Sequence, residues 1–173
     1  MKKIGLFSDT HSYLDPDILL KYFKNVDEIW HAGDIGNIEQ VTDLLKDQGK
    51  ILRIVWGNID DKDARLEFKE DCRFTIEGFD IWITHIGGYP GRYTKRVYWE
   101  LKKNPPDIFI CGHSHILKVM RDKQFNNMLT INPGAAGVHG FHKMRTAIRF
   151  ILDDKKISNM EVVELGLRGK TKV

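Results

Sequence analysis

Short apolar runs alternate with polar, turn-rich stretches along this chain, and their spacing predicts its elements. Lys3 to Ser8 is a continuous apolar run of strand length, and Asp15-Pro16 then supplies an N-cap and a first-turn proline for a helix carrying Ile18, Leu19, Leu20 and Phe23. Val26 to His31 predicts a second buried strand, Ile38 to Lys46 a second helix with Val41, Leu44 and Leu45 at core spacing, and Ile51 to Trp56 a third strand. Strands joined through helices run parallel, so this half predicts βαβ units. After Asp63 the rhythm changes. Arg73 to Ile76 and Phe79 to Thr84 flank Glu77-Gly78, a two-residue hairpin signal, and Tyr93 to Lys103 is amphipathic. Asp107 to Cys111 predicts another buried strand, and Ile116 to Arg121, Met128 to Ile131, Arg145 to Leu152 and Met160 to Leu165 predict mostly antiparallel strands. An α/β fold of two β-sheets flanked by helices is the simplest packing that buries all these faces.

Composition narrows the class. With 173 residues and no repeat, low-complexity block or linker, one domain over residues 1–173 is expected, long enough for a real core. A content of 42% hydrophobic and 29% charged residues excludes a disordered chain, and no apolar run reaches membrane length. Met1-Lys2-Lys3 before Ile4 to Phe7 imitates the start of a signal peptide, but the apolar stretch ends at Asp9, short of an h-region. Cys72 and Cys111 are the only cysteines, which excludes a disulfide framework and points to a reducing, cytoplasmic location. The net charge of +3, with Arg168, Lys170 and Lys172 at a basic end, gives no strong nucleic-acid signal. Arg92, Lys95, Arg96, Lys102 and Lys103 read as a solvated helix face, with Arg92 or Lys95 placed to meet an anionic substrate.

The chemistry lies at the ends of the strands. Five apolar runs each finish on metal-capable groups: Ser8-Asp9-Thr10-His11, His31-Ala32-Gly33-Asp34, Gly57-Asn58-Ile59-Asp60, His85, and Gly112-His113-Ser114-His115. In an α/β sheet, ligand sites lie beyond the carboxyl ends of the strands, so the five endpoints can converge on one crevice. Singly, each has an ordinary explanation: a turn for Asp9-Thr10-His11, a cap for Asp34, a Gly-Asn turn for Asn58, a satisfied core histidine for His85. Jointly, Asp9, His11, Asp34, Asn58, His85, His113 and His115 make a ligand set for two divalent ions if Asp34 bridges. Carboxylate, imidazole and one amide suit manganese first, with nickel, iron, zinc or magnesium as alternatives, rather than calcium or a thiolate-held structural zinc. Two such ions about 3.5–4 Å apart can activate a bridging water, polarise phosphoryl oxygens and orient an in-line attack. A small phosphate ester is the substrate class such a site serves.

Taken in order, Ser8-Asp9-Thr10-His11, Gly33-Asp34, Gly57-Asn58-Ile59-Asp60, Thr84-His85, Gly112-His113-Ser114-His115 and Asn132-Pro133-Gly134-Ala135 resemble the calcineurin-like metallophosphoesterases. Within that superfamily they are similar to the small branch of YfcE-type phosphodiesterases and the retromer subunit Vps29. The resemblance covers nearly the whole chain. It implies a four-layer α/β/β/α sandwich of two mixed β-sheets flanked by helices, the metallo-dependent phosphatase fold. It also implies one metal on Asp9, His11, Asp34 and His115 and a second on Asp34, Asn58, His85 and His113. The implied activity is that of a dinuclear phosphodiesterase, rather than a monoesterase, attacking phosphorus with a metal-bridging hydroxide, with Asp34, Asn58 and His85 as candidate catalytic residues. Relatives are often oligomers, so a homo-oligomer is compatible with the sequence.

One departure matters. Many members of the superfamily carry a histidine after the metal-binding asparagine, where it can protonate the leaving group; this chain has Ile59, which cannot. His31, His139 and His142 are candidate replacements, although His31 is better placed to buttress the site. Asp60 and Asn132 are expected to support ligand geometry, Arg92 to lie near the substrate, and Gly87-Gly88-Tyr89-Pro90-Gly91 to form either an anion nest or a turn into the next helix. The rival reading is a Vps29-like interaction scaffold, which can lose metal ligands without harm; here all seven are present. Cyclic nucleotides, phosphodiester fragments and monoesters all stay open as substrates.

Overall fold

The computed structural model describes residues 1–169. Two five-stranded mixed sheets stack face to face, and helices cover the outer face of each, giving a four-layer α/β/β/α sandwich. In the first sheet β1 (Lys2–Phe7), β2 (Glu28–Ala32) and β3 (Ile51–Val55) run parallel, and β9 (Met144–Asp153) pairs antiparallel with both β1 and β10 (Lys156–Leu167). The second sheet orders as β4 (Asp71–Ile76), β5 (Phe79–Thr84), β6 (Ile108–Ile110), β8 (Met128–Asn132) and β7 (Lys118–Asp122).

Period-two alternation decides which layer each side chain enters. Ile4, Leu6, Trp30 and Ala32 from the first sheet meet Ile81, Ile83, Ile108 and Ile110 from the second in the central core. Their neighbours Phe7 and Ile29 face outward, onto Ile18, Leu19 and Phe23 of α1 (Pro16–Ile18, continued by a π-helical turn over Leu19–Phe23) and Val41 and Leu45 of α2 (π-helical over Glu39–Asp43, then α-helical over Leu44–Lys46). On the far side Trp82 and Phe109 point out onto Val97 and Leu101 of the amphipathic α4 (Lys95–Lys103). The predicted cap is present, Asp15 accepting from the Asp17 amide at 2.9 Å, and Thr94 caps α4 by accepting from Val97 N at 3.4 Å. Glu77 and Gly78 both have positive φ, +47° and +78°, the conformation a tight β4–β5 hairpin needs.

Two details differ from expectation. A short helix, α3 (Lys62–Glu67), was not foreseen; Asp61 caps it by accepting from Asp63 N and Ala64 N at 3.1 and 3.0 Å. The expectation of mostly antiparallel strands after residue 107 holds for the β7–β8, β1–β9 and β9–β10 pairs, while β8 also pairs with β6 in parallel and β7 lies at the sheet edge. The helix placed at Tyr93 begins at Lys95, since Thr94 is its cap. Of the basic end, Lys170 and Lys172 lie outside the described residues. Among the described residues no helix is long and apolar enough to cross a membrane.

Candidate metal centre

The topology gathers the carboxyl ends of parallel strands from both sheets at one edge of the sandwich. From the first sheet come the loops after β1, β2 and β3, and from the second those after β5, β6 and β8. Backbone bonds weld the loops together: Asp9 N donates to Gly33 O at 3.0 Å, His11 N to Asp34 O at 3.1 Å, and Gly112 N to His85 O at 3.0 Å. Asp9, His11, Asp34, His113 and His115 all have φ between +46° and +66°. That left-handed conformation is costly for residues with a Cβ and persists only where surrounding structure enforces it, a pattern concentrated at functional sites. Close approach is needed as well. A Cβ on Gly57 would lie 2.1 Å from Asp34 Oδ1, and one on Gly112 1.9 Å from Ser8 Oγ, so neither loop can carry a side chain at these points.

All seven predicted ligands come together, and they fall into two groups. The ligand atoms of Asp9, His11 and His115 lie within 4.8 Å of one another, as do those of Asp34, His85 and His113. Asn58 joins the second group through Oδ1, 3.1 Å from His85 Nε2. Asp34 stands between them, with Oδ2 3.7 Å from His11 Nε2 and Oδ1 3.1 Å from His85 Nε2.

Hydrogen bonding leaves the right atoms free for cations. Asp9 Oδ2 accepts from Ser8 Oγ at 2.6 Å and from His113 N at 3.1 Å. Asp9 Oδ1 is buried, has no hydrogen-bond partner among the described residues, and faces His115 Nε2 at 3.1 Å. A buried carboxylate oxygen left unpaired is expensive unless something positive occupies the space beside it. His85 Nδ1 donates to Ala32 O at 2.7 Å, so Nε2 is the nitrogen turned toward Asp34 and Asn58. Burial depresses the His11 ring, keeping it neutral and able to coordinate; burial also pulls on His85, but its bond to Asp34 and the Asp9 and Asp34 charges outweigh this and raise it. Asp34 is pulled up by desolvation but held lower by His85, the Ile59 amide and His11. The donor set therefore fits divalent cations.

Supporting residues surround this cluster. His31 is fully buried; Gly33 N donates to its Nδ1 at 3.2 Å, and its Nε2 donates to Thr10 Oγ1 at 3.0 Å, while desolvation pushes its pKa down to about 4. It buttresses the β1 and β2 loops as a neutral ring and is in no position to reach a substrate. Asp60 accepts from Gly36 N at 2.8 Å and Gly57 N at 2.7 Å, tying the β2 and β3 loops. Asn132 donates to Gly112 O and Ser114 Oγ, at 2.8 and 3.1 Å, and accepts from Gly134 N at 2.9 Å, bracing the His113–His115 turn. His139 is exposed, its ring 5.6 Å from that of His11.

Arg92 does not join the centre. It is exposed and outside the cleft, because its amide closes a turn onto Tyr89 O at 2.7 Å and Thr94 N bonds to Gly87 O at 3.0 Å. Gly87 to Gly91 is accordingly the turn into α4. The residues missed in the sequence are Ile116 and Phe141, which with Ile59 and His142 line a depression of about 500 Å³ over the ligands; they sit on separate loops and left no pattern to read.

Comparison with known proteins follows the same line. The model of the calcineurin-like phosphoesterase superfamily domain matches residues 1–155. A probable metallophosphoesterase of Methanothermobacter thermautotrophicus is 28% identical over 139 residues, 78% of this chain and 77% of that protein. A protein of Methanocaldococcus jannaschii named a phosphodiesterase is 27% identical over 147 residues, 76% of this chain and 82% of its own length. Among solved structures, Vps29 of Entamoeba histolytica, complexed with zinc, superposes with a TM-score of 0.71 at 16% identity, covering 95% of this chain and 98% of that one. Sandwich and strand-end cluster together define a metallophosphoesterase. The chain belongs to the calcineurin-like phosphoesterase superfamily.

Proposed function

We propose that the protein is a dinuclear metal-dependent phosphodiesterase. Asp9, His11, Asp34 and His115 would hold one divalent cation, and Asp34, Asn58, His85 and His113 the other. The observation that carries this reading is the division of the ligands into two groups with Asp34 reaching both, at 3.7 Å from His11 and 3.1 Å from His85. When bound, a cation pair supplies an activated water and neutralises charge on a phosphate. The chain's own residues do the rest. Asp34 spans the two positions, Asn58 and His85 fix the second, and the Nδ1 hydrogen bond of His85 to Ala32 O leaves Nε2 as the nitrogen that would face the cation. Manganese is the first choice among cations for this carboxylate, imidazole and amide set. Two free cysteines suit a reducing, cytoplasmic setting.

The relative named a phosphodiesterase supports diesters over monoesters. A scaffold role is the second reading, favoured by the resemblance of the fold to Vps29. Hydrolysis of bis-p-nitrophenyl phosphate and of p-nitrophenyl phosphate by metal-stripped protein, with manganese, nickel, zinc or magnesium restored, separates the two. The expected result is metal-dependent cleavage, faster for the diester and lost in His85→Ala. Folded protein that turns over neither ester with any metal would favour the scaffold.

A further inference from the structure

The ligand cluster opens onto two cavities, not one. Besides the depression of about 500 Å³ bounded by Ile59, Ile116 and Phe141, a second of about 300 Å³ lies beyond Asn58 and His85. Asn58, a proposed ligand of the second cation, lines both and is their shared wall. A monoester has one organic arm to place; a diester has two.

The smaller cavity is built from Trp56, Arg65, Thr84, Ile86, Thr94 and Arg96. Its main feature is a fixed platform. The Arg65 guanidinium lies 4.6 Å from the centre of the Trp56 ring, and its Nε donates to Asp60 O at 3.0 Å. Arg65 also approaches Asn58 O at 3.5 Å, which joins the platform to a proposed ligand. Arg96 is committed to Asp71 at 2.7 Å and to Thr84 Oγ1 at 2.8 Å, but Arg65 has no ion pair among the described residues. A guanidinium seated over an aromatic ring, with its charge not neutralised by a carboxylate, is suited to stacking against a second planar π-system. Ile86 supplies an apolar wall, and Glu70 adds a hydrogen-bond acceptor at the rim.

We propose that this cavity is the subsite for one ester arm of the substrate, and that the arm is planar and aromatic, of the nucleobase or aryl class, stacking on the Trp56–Arg65 platform while the other arm occupies the larger depression. The proposal rests on the phosphodiesterase reading, so its test needs a readout that does not depend on turnover. Adenosine 5′-monophosphate added to the manganese-loaded protein is expected to quench tryptophan fluorescence saturably, and Trp56→Phe to abolish that quench. Inorganic phosphate at the same concentration is expected to produce none. In kinetics, Ile86→Trp, which fills the cavity, is expected to lower the selectivity for bis-p-nitrophenyl phosphate over p-nitrophenyl phosphate at least 5-fold through KM. Absence of quenching, quenching that survives in Trp56→Phe, or unchanged selectivity in Ile86→Trp would overturn the subsite. Quenching by the nucleotide without turnover of any ester would instead count against the enzyme while leaving the aromatic subsite standing.

Discussion

The Nδ1 atoms of His115 and His142 lie 3.3 Å apart, and this contact fixes the tautomer of a proposed metal ligand. His142 Nε2 sits 3.0 Å from Gly137 O, which can only accept, so Nε2 carries the hydrogen. Desolvation lowers the pKa of His142, favouring the neutral ring whose Nδ1 then accepts. His115 must donate through Nδ1, and its Nε2 turns a lone pair toward Asp9 Oδ1 and His11 Nε2, at 3.1 and 3.2 Å. Orienting partners of this kind are worth roughly 10–100-fold in metal affinity. His142→Ala is expected to weaken the tighter or the looser of two manganese-binding events by about 10-fold in calorimetry, with the far-ultraviolet circular dichroism unchanged. Equal affinities in both proteins would show that His115 orients itself.

The metal-free protein is expected to lose stability in mild acid, and His31 gives the sign. Its ordinary value is 6.5 and burial pushes it down to about 4, so between these values the unfolded chain binds a proton that the folded chain refuses. Stability therefore falls as pH drops through that window, by on the order of 3 kcal/mol from this ring alone. His11 and His142, also lowered by burial, act in the same direction, while the raised His85 acts against it. Urea unfolding at pH 7 and at pH 4.5 checks this. His31→Gln should be less stable at pH 7, having lost an acceptor for Gly33 N, and should show a smaller loss on acidification. Parallel losses in the two proteins would remove His31 as the cause.

Gly112→Ala is expected to disable metal binding without touching a ligand. The new methyl would meet Ser8 Oγ at 1.9 Å and Asp9 Oδ2 at 2.8 Å, and Ser8 is the residue that holds Asp9 Oδ2 so that Oδ1 faces inward. Either the loop after β6 shifts and carries His113 and His115 with it, or the Asp9 carboxylate turns. Overpacking of this kind typically costs about 1–3 kcal/mol. A lower thermal midpoint together with a manganese content below that of the parent protein is the expected pair of results, read by calorimetry and elemental analysis.

The strand-end pattern was legible because it is one-dimensional: an apolar run marks a strand, and the polar group closing it marks the strand's carboxyl end. Parallel order within each sheet then brings those ends together, which is why seven scattered side chains could be named together. What resisted reading depends on neighbours in space. The helix α3 buries only Ala64 and exposes Leu66, so its residues carry no apolar period, and Arg65 went unnoticed with it. The pairing of β8 with β6 is a choice between partners of similar sequence, made by the packing of Leu129 and Ile131 into the central core. Left-handed backbone at Asp9, His11, Asp34, His113 and His115 has no signature, since none of these is glycine. Arg92 is expected near an anionic substrate as one of a basic group following the glycine-rich turn, and a single turn closed onto Tyr89 O carries it away.

Ile59 sets the last prediction, about the leaving group. Its amide donates to Asp34 Oδ1 at 3.1 Å, and its half-exposed side chain lines the larger depression beside Asn58. A side chain at this place lines the cleft over the proposed ligands but, as isoleucine, cannot deliver a proton. Leaving groups that depart as stable anions, such as p-nitrophenolate, need no proton; alkoxides do, and a placed general acid is worth roughly 10²–10⁴-fold on them. Ile59→His is therefore expected to accelerate an alkyl diester such as bis(2-hydroxyethyl) phosphate by at least about 10-fold, while changing bis-p-nitrophenyl phosphate hydrolysis little. The gain should disappear at high pH, as the imidazole loses the proton it would donate. If both esters respond alike, the histidine has altered binding rather than proton transfer, and the protein must draw its leaving-group proton from solvent or from another residue of the cleft.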